Sequence, residues 1–150
     1  GTLDSARFAL LRERQASQAK GPLHFISQPC DGLAAAIERD DEDAIRALCE
    51  RYILSLCKAA GPELDTVVLG CTHYPFAMST LALLCGPTVT LVDTAVPVAR
   101  RTREVLGAMT ASPDAPALPP VLLATRDPQG LAHAVHRWLG LGVTAQLAQP

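Results

Sequence analysis

Aromatic side chains are scarce, with three Phe, two Tyr and one Trp in 150 residues. A core built from this chain must rest mainly on Leu, Val, Ile and Ala. No sign of charge dominates: 13 Lys and Arg stand against 15 Asp and Glu, for a net −2. That balance excludes the basic footprint by which proteins hold nucleic acid or anionic membrane, so no nucleic-acid partner is expected. No apolar run approaches the roughly 18 residues of a membrane span, and no basic-then-apolar signal segment opens the chain. No membrane association is expected either. The five cysteines are odd in number and form no CxxC pair. A disulfide framework is therefore not expected, and the reducing cytoplasm is the expected compartment. An initiator methionine is also missing. The opening Gly1-Thr2 reads as the product of a cut or a truncation.

What is present points to a packed protein. Hydrophobic residues make up 49% of the chain and mean hydropathy is +0.19, values of a globular domain rather than a disordered one. Residues 4–18 have helical composition and end at Gly21-Pro22. Residues 23–28 read as a short strand, 29–32 as a turn and 33–39 as a short helix. Asp40 to Asp43 then supply an acidic start for a helix that should run to Gly61. Its apolar residues (Ile45, Leu48, Cys49, Tyr52, Ile53, Leu56 and Cys57) recur at three- and four-residue spacing, so all of them are expected on a buried stripe.

The next segment, 66–70, is a near-continuous apolar strand of the kind a parallel sheet covers on both faces. A helix is expected over 75–85, a strand over 88–92 and a helix from 96 to about Met109. Four prolines within 110–120 predict a loop. A strand over 121–125 follows, then a helix with Asp127 as N-cap and Pro128 at its first position. Gly140 should end that helix and leave a loose tail. Helix and strand alternate, which argues for a parallel-sheet α/β architecture.

Within this order the cysteines divide. Cys49, Cys57 and Cys85 fall on apolar helix faces, where a free thiol packs as a small hydrophobe. Cys30, between a strand and an Asp-Gly turn, is read as structural. Cys71 is placed differently. It follows the strand Val67-Val68-Leu69-Gly70 and precedes Pro75, so it sits at the carboxyl end of a strand, where open α/β sheets bind ligands. Backbone N–H groups and a helix's positive end can hold a thiol there as thiolate, able to act as base or nucleophile. His73, two residues on, can exchange protons near neutrality. The two together supply too few ligands for zinc, and no second pair at metal spacing exists, so no metal is expected. His133 and His136 lie off the apolar stripe of the last helix and read as solvated.

The run Leu69-Gly70-Cys71-Thr72-His73-Tyr74-Pro75 closely resembles the second cysteine motif of bacterial glutamate racemases, within the aspartate/glutamate racemase superfamily. Gly1-Thr2-Leu3-Asp4-Ser5, Gln28-Pro29-Cys30-Asp31-Gly32-Leu33 with Glu38, Val92-Asp93-Thr94 and Trp138-Leu139-Gly140 resemble other family segments in the same order. The resemblance implies a Rossmann/flavodoxin-like α/β fold in which residues 1–94 form the second, Cys71-bearing domain. Residues 95–150 would then be the C-terminal segment returning to an incomplete first domain. It further implies cofactor-independent interconversion of L- and D-glutamate, supplying D-glutamate for peptidoglycan, by two cysteines acting on opposite faces of the substrate. Cys71 would be one of these bases. His73 would assist its protonation or hold the substrate ammonium, and Thr72 would bind the carboxylate. Thr2 and Ser5 would line the substrate pocket, and Glu38 would be an auxiliary acid. The implied partner is a small-molecule substrate, glutamate, with a homodimer as candidate assembly and no cofactor.

The chain also departs from the family. Its Asp-Ser-Gly loop and its Asn-Thr-linked cysteine are both missing, and no other cysteine here is followed by Asn-Thr. Asp93-Thr94-Ala95-Val96-Pro97 differs from the family's usual loop. One base of two predicts that the chain is inactive alone. Three alternatives stay open: an aspartate or hydantoin racemase of the same superfamily, a noncatalytic binding fragment, and a thiol hydrolase, which needs a histidine oriented by Asp or Asn near Cys71 and an oxyanion hole.

Overall fold

A computed structural model of the chain describes residues 2–107 and 119–148. The chain divides into two compact units, Gly1–Thr94 and Ala95–Pro150.

The first unit opens with a 3-10 turn, Thr2–Asp4, and helix α1, Ala6–Gln18. Ser5 caps α1, its Oγ accepting the Phe8 N–H at 3.2 Å, which satisfies one of the amides that a helix start leaves open. The strand expected over 23–28 is not formed. A strand exists through its hydrogen-bonded neighbour, and among the described residues the only strand pairs are 66–68 with 90–92 and 122–124 with 145–147. Leu23, Phe25 and Ile26 stay exposed. The segment is tied instead to α1, where the Arg12 guanidinium lies 5.9 Å from the Phe8 ring and 5.6 Å from the Phe25 ring.

Helices α2, Leu33–Glu38, and α3, Glu42–Ala60, follow. Asp41 caps α3 by accepting the Ala44 N–H at 3.0 Å, and Glu42 and Asp43 occupy the first turn, where a helix favours negative charge. Leu33, Ala36 and Ile37 of α2 and Ile45, Cys49, Ile53 and Leu56 of α3 are buried, and α2 packs on α3. Cys57, expected on the same stripe, is exposed instead. At 3.6 residues per turn each four-residue step drifts by about 40°, so the series 45, 49, 53, 57 has rotated about 120° by its end. Leu56, eleven residues after Ile45, returns to within about 20° and takes the buried place.

Strands β1, Thr66–Val68, and β2, Thr90–Val92, pair in parallel, Thr66 with Thr90 and Val68 with Val92. The ladder runs on through Leu69 N–H to Val92 O at 2.8 Å and Thr90 N–H to Asp65 O at 2.7 Å. Parallel strands require a crossover, supplied here by a 3-10 turn, Tyr74–Ala77, and helix α4, Met78–Cys85, which packs on α3. The α-helix thus begins at Met78, not at Pro75. Pro75 has no N–H to give, and the Phe76 N–H bonds the His73 carbonyl three residues back at 3.0 Å, which is 3-10 geometry. The double-sided cover expected for β1 is also absent among the described residues. Val67 and Leu69 are buried while Val68 is 66% exposed.

In the second unit helix α5, Ala95–Gly107, precedes β3, Leu122–Ala124, α6, Pro128–Leu139, and β4, Ala145–Leu147. The end expected for α5 near Met109 and most of the proline loop lie outside the described residues. Asp127 caps α6 by accepting the Gly130 N–H at 2.8 Å. A Cβ at 130 would meet that carboxylate, which would have to shift to admit it. Gly140, at φ +66°, ends the helix in the left-handed conformation that glycine tolerates. The tail expected beyond it is instead strand β4, parallel to β3, with Ala148 N–H bonding Ala124 O at 2.7 Å. Helix α6 packs on both strands, burying Val135, while Val96, Val98, Val105 and Leu106 of α5 are exposed. No helix among the described residues is long and apolar enough to cross a membrane.

Ile37 is 1% exposed and Leu83 83% exposed. Ile37→Ala should lower unfolding stability by about 2–4 kcal/mol, as buried large-to-small changes do, and Leu83→Ala by less than about 0.5 kcal/mol. Urea denaturation followed by circular dichroism measures both.

Candidate active site

Strand β1 ends at the sheet rim, and the chain turns there through Gly70, Cys71 and Thr72 before the 3-10 turn begins. The Tyr74 N–H closes this turn on the Cys71 carbonyl at 3.3 Å. Two residues of spacing bring the half-buried Cys71 Sγ to 3.7 Å from His73 Nδ1. The other ring nitrogen, Nε2, lies 3.0 Å from Glu38 Oε1 at the end of α2. Thiol, imidazole and carboxylate therefore stand in one row. The Glu38 side chain is 63% exposed and that of His73 35% exposed. An imidazole–carboxylate contact this open to water contributes little to stability, of order 0–1 kcal/mol even with both groups charged. Its effect is to orient: a carboxylate at Nε2 favours the N–H there and leaves the Nδ1 lone pair facing the sulfur.

The turn before α2 is fastened to this row by two phenols. Tyr52 of α3 donates to the Asp31 carbonyl at 2.6 Å, and Tyr74 donates to the Cys30 carbonyl at 3.5 Å. Gly32 completes the turn at φ +83°, a conformation that favours glycine. Burial, then the negative charge that Cys30 and Cys71 can carry, push the Tyr74 phenol up to about 12. Burial first, with Asp31 and Cys71 adding to it, also pushes the Cys30 thiol up, against the opposing hydrogen bond from Tyr74. Cys49, fully buried under the turn, is pushed up to about 11 by burial and then by Cys30 and Cys85.

Of the candidate residues, the row unites Cys71, His73 and Glu38. Thr72 lies exposed in the same turn, Ser5 serves as the α1 cap, and Thr2 sits in the first 3-10 turn, its side chain outside the described residues. His133 and His136 are exposed, and no group of three or more His, Cys, Asp or Glu able to hold a metal occurs among the described residues. Two features escaped sequence reasoning, namely the placement of Cys30 beside the Cys71 turn and the tyrosine anchors. The available signal was slight: Tyr52 belongs to the apolar series of α3, and Tyr74 stands next to Pro75 in the run that holds Cys71.

No family model matches the chain. Among curated relatives, a glutamate racemase of Pseudomonas putida KT2440 is 40% identical over 133 residues, covering 87% of this chain and 48% of that protein. One from Pseudomonas syringae pv. tomato is 44% identical over 108 residues, covering 71% and 37%. One from Herpetosiphon aurantiacus is 40% identical over 109 residues, covering 71% and 40%. The chain spans about half the length, or less, of these curated relatives. The crystal structure of glutamate racemase isoform RacE1 from Bacillus anthracis superposes with a TM-score of 0.70 at 24% identity, covering 95% of this chain and 53% of that one. That likeness shows the fold, parallel α/β of the Rossmann/flavodoxin-like kind.

A phenol raised above its unfolded value of about 10 holds its proton in the native state where the unfolded chain has lost it. The stability linked to Tyr74 should be complete below about pH 10 and be lost as pH rises toward 12. Alkaline titration of phenolate absorbance should show one tyrosine ionising near pH 12, and Tyr74→Phe should remove that step.

Proposed function

This chain is a relative of the glutamate racemases over about half their length, and we propose that it carries one of the two cysteine bases of such an enzyme. Cys71 takes or returns the Cα proton on one face of glutamate. The single observation behind this reading is the row from Cys71 Sγ through His73 to Glu38 at the carboxyl end of a parallel strand. The thiol proton passes to His73 Nδ1, leaving a thiolate beside an imidazolium that Glu38 steadies. The thiolate removes the Cα proton. Its return to the opposite face needs a second acid there, because no single side chain reaches both. Thr72, exposed in the same turn, binds the substrate carboxylate, and Thr2 and Ser5 border the pocket. The reaction needs no cofactor, and its product is D-glutamate for peptidoglycan.

Residues 1–94 correspond, on this reading, to the Cys71-bearing domain and residues 95–150 to the returning part of the other. What supports the division is the separation of the contacts into Gly1–Thr94 and Ala95–Pro150. The exposed apolar residues of α5 suit a segment that packs against further chain. The second base belongs to that further chain, since no cysteine here carries the Asn-Thr signature.

A thiol hydrolase is the second reading, favoured by the same row, since thiol, imidazole and carboxylate in sequence also activate a nucleophile. The two part on products. Cα deuterium exchange marks the racemase half-reaction, and an acyl-enzyme burst with activated esters marks the hydrolase.

The 150-residue chain should form no D-glutamate from L-glutamate by chiral chromatography, and turnover at an ordinary enzyme rate would refute the one-base reading. In deuterium oxide it should exchange the Cα proton of one glutamate enantiomer by NMR. Cys71→Ser should abolish that exchange, and Glu38→Gln, which acts only through His73, should slow it by about 10- to 100-fold, below the roughly 100- to 10,000-fold of a group that transfers the proton itself.

A further inference from the structure

The half-reaction leaves Cys30 without a task, yet its position is specific. The Tyr74 hydroxyl hydrogen-bonds the Cys30 carbonyl at 3.5 Å and meets its thiol as well. The N–H of the same tyrosine closes the Cys71 turn at 3.3 Å. Cys30 and Cys71 therefore meet the same residue, one at the Tyr74 hydroxyl and the other at its backbone N–H. They lie close enough to interact electrostatically, and both are half-buried. The Cys30 Sγ is held only by thiol contacts, to the Gln28 carbonyl at 3.4 Å and to the Tyr74 hydroxyl. The other thiols suit this pairing less: Cys49 is 0% exposed, while Cys57 and Cys85 lie toward the far ends of α3 and α4.

We propose that Cys30 is the resolving thiol of Cys71, so that a hydroperoxide converts the pair to a disulfide that caps the site. The Cys71 thiolate attacks the outer oxygen of hydrogen peroxide. An S–O bond forms, the O–O bond breaks, the sulfur is oxidised to a sulfenic acid and the peroxide leaves as hydroxide, which takes up a proton. The Cys30 sulfur then attacks the Cys71 sulfur. The S–S bond forms, the S–O bond breaks, and the hydroxyl leaves as water with the Cys30 proton. Two thiols and one peroxide give one disulfide and two waters. The assignment of roles follows from environment: burial keeps the Cys30 thiol protonated, whereas Cys71 faces an imidazole that can take its proton. Only the consequence, loss of a base, rests on the racemase reading. A dithiol reductant restores both thiols.

The test uses the 150-residue chain with a small molar excess of hydrogen peroxide, followed by non-reducing peptide mapping. The expected result is loss of two hydrogen atoms and one peptide pair joining Cys30 to Cys71, reversed by dithiothreitol. Closure needs Cα atoms within about 7 Å, so the joined peptide pair forms only if the two turns reach that separation. Cys30→Ser, checked for folding by circular dichroism, should cut the Cys71 cross-link at least about 10-fold and leave a sulfenic acid that dimedone traps. The proposal is overturned if Cys30 stays open to alkylation while Cys71 oxidises, if Cys71 pairs with Cys57 or Cys85, or if neither thiol reacts. Cα exchange by the reduced chain is scored separately. A disulfide without exchange would sink the racemase reading alone, and exchange without a disulfide would sink this one alone.

Discussion

The parallel pairing of β1 with β2 is the constraint from which the site follows. Two parallel strands cannot be joined by a hairpin, so the chain must leave the end of β1, cross over the sheet and return. The departure point lies at the carboxyl rim, where backbone groups are no longer spent on the ladder. Leu69 still bonds Val92, and two residues later the chain presents Cys71 in a turn. A proline at position 75 tightens the start of the crossover into 3-10 geometry. The tight turn lets a side chain two residues after the thiol fold back to meet it.

The second half of the site comes from a different stretch of chain, and tertiary packing brings it there. Helix α2 buries Leu33, Ala36 and Ile37 against α3, and that burial fixes where Glu38, one residue past Ile37, must emerge. Buried Leu and Ile side chains stabilise by about 1.5–3 kcal/mol each, more than the open Glu38–His73 pair can contribute. The ion pair thus does not hold α2 in place. The core holds α2, and the ion pair is set by it. The tyrosine hydroxyls on Cys30 and Asp31 do for the preceding turn what the core does for the helix.

The second unit repeats the strand–helix–strand plan on a smaller scale, with α6 as its crossover. It buries little, and Val121, Leu123 and Leu147 are exposed, as is the apolar side of α5. A two-stranded sheet with one covering helix buries too little apolar surface for independent stability.

Local sequence sufficed where structure follows from neighbours a few residues apart. The acidic cap of α3, the Asp127-Pro128 start of α6, the glycine stop at 140 and the position of Cys71 after a β-branched strand were all legible, because caps, prolines and glycines act within one turn of backbone. So was the parallel α/β class, from the alternation of periods. Longer-range outcomes were not. Residues 23–28 have strand composition but no ladder partner, residues 145–147 look like tail but have one, and Cys57 drifts off a stripe that Leu56 keeps. Strand formation and burial depend on what lies across from a residue. The approach of Glu38 to His73, thirty-five positions apart, and of Cys30 to the Cys71 turn was settled only when the helices packed, since a single sequence carries no distance between segments that the core alone brings together.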